Sequence, residues 1–217
     1  DNTAKIWDLQ TGKTIKTLEG HRGSVYSVAI TPNAKTGITG NSDTSLQFWD
    51  LSNGKELQIL KGHDNWVGSL AVTPDGKYLL AGSYRVIYLW DLKAGKQLKK
   101  LNDHKGFVYD IVITEDGKTA ITCSGDRNIK LWDLKTGKML NTLEGHTDRV
   151  VSLALTPDGK KIISGSWDRT IRVWDLETAE MICVSKEESD VLALNTTQND
   201  YFVFGNITGD VIVSKLI

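Results

Sequence analysis

Four histidines, His21, His63, His104 and His146, stand among 27 aspartates and glutamates in a chain of 217 residues. Imidazoles beside carboxylates are the usual material of metal sites and of acid–base pairs. The spacing argues against both. The histidines lie 42, 41 and 42 residues apart, one at a time, and no H-x-x-x-H, G-x-S-x-G or phosphate-loop sequence accompanies them. A group that returns once per fixed interval belongs to a repeat before it belongs to a reaction. No metal, cofactor or catalytic residue is therefore expected.

A second marker keeps the same step. Trp-Asp occurs at Trp7-Asp8, Trp49-Asp50, Trp90-Asp91, Trp132-Asp133 and Trp174-Asp175, at intervals of 42, 41, 42 and 42 residues. Each of the four later pairs follows a histidine by 27 or 28 residues, and the histidines are preceded by Gly20, Gly62, Asp103 and Gly145. Between the markers run short alternations of apolar and polar residues such as VYSVAI, KIISG, IRVW and KMLNTL, about four per period. Turn sequences separate them, including Pro74-Asp75-Gly76, Glu115-Asp116-Gly117 and Pro157-Asp158-Gly159. These are hairpin-linked antiparallel strands with no segment of helical period. A unit of four strands cannot bury both of its faces alone, so copies must stack, and radial stacking leaves only short, protected edges. The fold class predicted is all-β, a propeller of four-stranded antiparallel blades.

Gly-His, then Pro-Asp-Gly, then Asp-x-Thr-Ile-x-x-Trp-Asp at a period of 41 or 42 residues resembles the WD40 repeat family. The resemblance covers essentially the whole chain, read as one domain over 1–217. Residues 1–20 supply two strands of a partial blade, 21–185 four full blades, and 186–217 a worn last blade of three strands ending at Leu216. That makes 21 strands and about five blades, with the opening Asp1 standing where a turn aspartate should. Asp1 rather than Met at the start suggests a processed or excerpted chain, and the count suits part of a seven-bladed ring.

The resemblance also implies a buried polar network in each blade, carried here by His21, Thr39, Asp43 and Trp49, by His104, Thr122, Asp126 and Trp132, and by His146, Ser164, Asp168 and Trp174. The residue types suit a relay: an indole only donates, a hydroxyl donates and accepts, an imidazole passes the bond on, and a carboxylate accepts. The second copy, AGSYRVIYLWD, has Ala81 in the hydroxyl place and no turn aspartate, so His63 and Trp90 lack their linkers. In the last copy Phe204, Thr208 and Ser214 occupy the hydroxyl, aspartate and tryptophan places, which leaves it to hydrophobic packing.

Two of the seven tryptophans, Trp66 and Trp167, are surplus to the repeat. The family binds partners on one rim, at the third and fifth residues after the histidine and at the residue before the turn aspartate. Those positions are Ser24, Tyr26 and Ser42, Trp66 and Gly68, Phe107, Tyr109 and Gly125, Arg149, Val151 and Trp167, and in the last copy Asp190, Leu192 and Ile207. Tyr26, Trp66, Phe107, Tyr109, Arg149, Trp167 and Leu192, with Tyr84 in the shortened turn, form the candidate partner-binding set. Trp, Tyr and Arg dominate binding hot spots.

The reading implied is a non-catalytic scaffold for a protein or peptide. The regular Thr-Pro-Asp-Gly-Lys turns resemble bacterial WD40 domains, which sense signals within multidomain proteins. The alternative is an architectural domain that packs against other domains of its own chain and holds them inactive. A net charge of −1 gives no field for nucleic acid, and no apolar run approaches the roughly 20 residues needed to cross a bilayer. Cys123 and Cys183, without paired spacing, read as buried free thiols of a reducing cytoplasm.

Overall fold

The computed structural model describes residues 1–197 and 201–215, and among these the chain is strands and turns without a helix. The strand end expected at Leu216 lies outside the described residues. Two compact units divide the chain, Asp1–Asn102 and Asp103–Ile217.

In the first unit β1 (Ala4–Trp7) pairs antiparallel with β2 (Thr14–Leu18). Asp1 accepts the amide of Thr3 at 3.1 Å, as a turn aspartate does. A four-stranded sheet follows in the order β3 (Val25–Ile30), β4 (Thr36–Asn41), β5 (Leu46–Asp50), β6 (Glu56–Leu60). Next come β7 (Ser69–Val72), β8 (Tyr78–Gly82) and β9 (Tyr84–Asp91), and the beginning of β10 (Lys96–Ile113) extends that order. In the second unit the end of β10 pairs with β11 (Thr119–Ser124), followed by β12 (Ile129–Asp133) and β13 (Met139–Leu143). Then come β14 (Val150–Leu155), β15 (Lys161–Ser166), β16 (Thr170–Asp175) and β17 (Met181–Lys186) in order. The last sheet is β18 (Val191–Thr196), β19 (Tyr201–Asn206) and β20 (Val211–Lys215).

There are 20 strands among the described residues, not 21, because β10 runs unbroken where two strands and a turn were expected. The cause is one residue. Gly20, Gly62 and Gly145 precede the other histidines at φ of 111°, 138° and 149°, which ends the outer strand. Asp103 is not at positive φ, so the backbone stays extended through His104, and its carboxylate pairs with the buried ammonium of Lys130.

Middle strands are buried along their length and outer strands are exposed. In the first unit Ile38, Leu46 and Phe48 pack on Val67, Leu79, Tyr88 and Trp90. In the second, Ile121, Ile129 and Leu131 pack on Val150, Leu153 and Trp174, and Ile163 and Ile171 pack on Val191, Phe202 and Phe204. Burying each such aliphatic side chain stabilises by roughly 1.5–3 kcal/mol. One expectation fails here. Cys123 is buried, but Cys183 is exposed, because it sits on β17, an outer strand with no buried residue.

The inner hairpins close by one device. Thr73 donates its hydroxyl to Asp75 at 2.7 Å and accepts the Tyr78 amide at 3.0 Å, while Asp75 accepts the Lys77 amide at 3.0 Å. The Thr73 hydroxyl, then the bonds from Lys77, hold the Asp75 carboxyl down to about 2. Gly76, Gly117 and Gly159 take the left-handed position of this turn, yet the first copy has Ala34 there at φ 55°, and Ala179 stands at φ 61° in a later turn. An L residue in that conformation costs about 1–2 kcal/mol, part of which glycine returns as unfolded-state entropy. Ala34→Gly and Ala179→Gly should therefore each stabilise by about 0.5–1 kcal/mol. Urea denaturation checks this, and a loss of stability in both would refute the strain.

Candidate functional site

The polar relays form where the residue types allowed. In the third copy Trp132 donates its indole N–H to Thr122 Oγ1 at 2.8 Å, Thr122 meets His104 Nε2 at 2.8 Å, and His104 Nδ1 meets Asp126 Oδ2 at 2.8 Å. In the fourth, Trp174, Ser164, His146 and Asp168 repeat this at 2.9, 2.8 and 2.8 Å. Only the Nδ1–H tautomer lets every member donate once along the line. Burial lowers the proton affinity of His146, against the pull of Asp168. Burial raises that of Asp168, but the Thr170 hydroxyl, the Thr147 amide and His146 outweigh it, leaving it below the ordinary value.

The first copy is incomplete. Trp49 and His21 both reach Thr39 at 3.1 Å, but Asp43 does not join, which corrects its assignment to the network. Its Oδ1 is held by the Ser45 amide at 3.1 Å and hydroxyl at 2.6 Å. The His21 ring tilts onto Trp49 at 4.5 Å between centroids, and its Nδ1 is buried without a hydrogen-bond partner.

The second copy, expected to lack linkers, closes directly. Trp90 donates to His63 Nε2 at 3.2 Å, and His63 Nδ1 donates to the Thr44 carbonyl at 3.1 Å. Thr44 itself sits at φ 70°, a strained place for a β-branched residue. Burial lowers the His63 proton affinity to about 4, the Thr44 carbonyl opposing it. Each histidine thus has an indole or hydroxyl partner inside its own blade.

One rim position in each of four sheets has a backbone feature that the sequence does not display. Register shifts fall between Val25 and Ser27, Val108 and Asp110, Val150 and Ser152, and Val191 and Ala193. The residues skipped are Tyr26, Tyr109, Val151 and Leu192. A bulge leaves its extra residue outside the ladder and re-aims its side chain.

In the first unit Tyr26 and Trp66 are 48% and 38% exposed and meet edge to face, with centroids 4.6 Å apart at 81°. Tyr84 is exposed at the start of β9, with the Arg85 guanidinium 5.3 Å from its ring. In the second unit Phe107 and Tyr109 are half-buried with centroids 5.6 Å apart. Arg149 lies 4.7 Å over the half-buried Trp167 ring and donates to the Tyr109 hydroxyl at 3.4 Å. Trp167 Nε1 is buried with no acceptor. Leu192 is exposed on β18. The candidates thus form two groups, Tyr26 with Trp66, and Phe107, Tyr109, Arg149 and Trp167, with Tyr84 and Leu192 outside both.

The family profile described as WD40, WD domain, G-beta repeat matches residues 12–50, 54–91, 95–133 and 137–175, well over half of the chain. The chain belongs to the WD40 repeat family. Its sheets are blades of that repeat, and members of the family generally act as non-catalytic protein-interaction scaffolds. Over 47 residues the chain is 36% identical to eukaryotic translation initiation factor 3 subunit I of Eremothecium gossypii. That stretch is 22% of this chain and spans only 14% of the relative. No helix among the described residues is long and apolar enough to cross a membrane.

Proposed function

We propose that this WD40 chain is a recognition scaffold that captures a protein or peptide on its aromatic rim, as the sensing part of a larger cytoplasmic signalling protein. In this reading residues 1–217 belong to one propeller domain, about five blades of a seven-bladed ring. The observation that carries the rim is that the ladder skips the fifth residue after the histidine place in four sheets, Tyr26, Tyr109, Val151 and Leu192, three of which are candidates. Rigid aromatic rings held against one another bind with little entropic loss. A translation factor subunit among the relatives is in keeping with a protein partner.

The test is a double substitution, Trp66→Ala with Trp167→Ala. Truncating two hot-spot tryptophans should weaken partner capture by about 30-fold or more, since the loss of one hot spot at roughly 2 kcal/mol already gives that factor. Thermal denaturation run alongside should show the variant still folding cooperatively, with a modest loss from the half-buried Trp167. Unchanged capture would remove the rim from the account.

A second reading has its own observation. Val28 and Ile30 on β3 are 64% and 60% exposed, an apolar stripe that another domain of the same protein could cover. A purely intramolecular role predicts that the domain binds only segments of its own parent chain, and capture of a foreign protein would exclude it.

A further inference from the structure

We propose that Arg149 is the centre of a carboxylate-binding site that receives an aspartate or glutamate side chain of an acidic peptide. This rests on the rim reading and specifies the chemistry of its ligand.

The guanidinium is held before any ligand arrives. Its face lies 4.7 Å from the Trp167 ring centroid and one NH group reaches the Tyr109 hydroxyl at 3.4 Å, a long bond that fixes direction more than it spends donor capacity. Arg149 has no carboxylate partner among the described residues. The neighbouring acid, Asp148, spends Oδ1 on the Arg149 backbone amide at 2.7 Å, and Asp190 pairs with Arg169 at 3.5 Å. A guanidinium carries five N–H donors in a planar fork that matches a carboxylate in a bidentate bond, and stacking removes the entropy otherwise lost on binding.

Two further features favour an anion with an acceptor-rich backbone. Arg127 is exposed on the left-handed residue of its turn, at φ 74°, and adds positive potential in the same unit. The Trp167 indole N–H, buried without an acceptor, is a donor that a small ring movement would offer to a peptide carbonyl. Phe107 and Tyr109 supply the apolar wall against which residues flanking the acid can rest. The ligand is therefore an extended peptide with one carboxylate side chain beside apolar residues. A nucleic acid is not favoured, since the whole chain carries a net charge of −1.

The probe is a displayed library of random nine-residue peptides selected on the intact chain, followed by synthetic peptides bearing Glu, Gln or phosphoserine at the selected position. An acidic position should emerge. Its Glu→Gln change should weaken binding at least tenfold on the unaltered protein and less than twofold on Arg149→Met, which keeps the aliphatic stem over Trp167. Arg149→Lys, retaining charge without the fork, should recover only part of the loss.

Selected peptides with no acidic position, or a costless Gln change, would overturn the carboxylate site. The rim reading would survive if Trp167→Ala still weakened those peptides, and would fall with it if Trp66→Ala and Trp167→Ala did nothing. Peptides that bind only as phosphoserine would overturn the assignment in favour of phosphate, and an empty selection would count against both readings.

Discussion

Ser164→Ala should destabilise the chain by about 3 kcal/mol, although it deletes a single buried oxygen. That hydroxyl accepts from Trp174 at 2.9 Å and meets His146 at 2.8 Å, so its loss strands two buried polar groups at roughly 1–3 kcal/mol each. The second blade shows how a direct bond could rescue them, since Trp90 reaches His63 without an intermediary. Geometry closes that route in the fourth blade. The His146 and Trp174 centroids are 6.2 Å apart against 5.3 Å for His63 and Trp90, and Asp168 anchors His146 Nδ1 at 2.8 Å. Approach to the indole would sacrifice that anchor. Urea denaturation should report the loss, with a fall in Tm of roughly 6–12 °C. Adding Trp174→Phe, which removes the stranded donor, should cost less than the two separate changes combined. A shift below about 0.5 kcal/mol for Ser164→Ala would show that the relay does not hold the blade.

Acid should unfold the chain over a window set by histidines before carboxylates enter. His63 titrates near 4 when folded against an ordinary value of 6.5, so the unfolded chain takes up the extra proton between those limits. Its stabilising contribution is complete above about pH 6.5 and is lost as pH falls through 4, a loss of about 3 kcal/mol from this residue. Protonation at Nε2 would also set a second N–H against the Trp90 donor. Burial lowers His21 and His146 too, so both act in the same direction below 6.5. The turn carboxyls come later. Asp75, held to about 2, contributes stability that is present above 3.8 and disappears as pH falls through 2. Stability measured by urea at pH 7, 5.5 and 4.5 should fall steadily, and His63→Gln should flatten the slope. A flat profile from 7 to 4.5 would contradict the buried neutral imidazoles.

The spacing of Trp-Asp and Gly-His made the blades legible, since each marker has a fixed chemical task. The aspartate of each pair shows the same economy: Asp133 Oδ1 accepts the Thr136 amide at 2.6 Å and so closes the outer hairpin. What escaped the reading depends on pairing rather than type. A bulge is a count of residues on one strand against another, so nothing in VYSVAI marks Tyr26 as the skipped residue. Asp43 fits its motif position, and Ser45 holds its Oδ1 as Thr170 holds that of Asp168, yet only Asp168 also reaches its histidine, a difference that residue types alone do not show. Cys183 lies in an apolar run that looks like core because outer and inner strands of a blade share a composition. The meeting of Trp90 with His63 was illegible because a motif records which members are present and not how far the ends can travel.

That shortened relay separates the tasks of the hydroxyl and the aspartate. Where a carboxylate moors the imidazole, as at His146, a hydroxyl has to bridge the gap to the indole; where none does, as at His63, the ring leans on the Thr44 carbonyl and meets Trp90 itself, so Ala81 strands no donor.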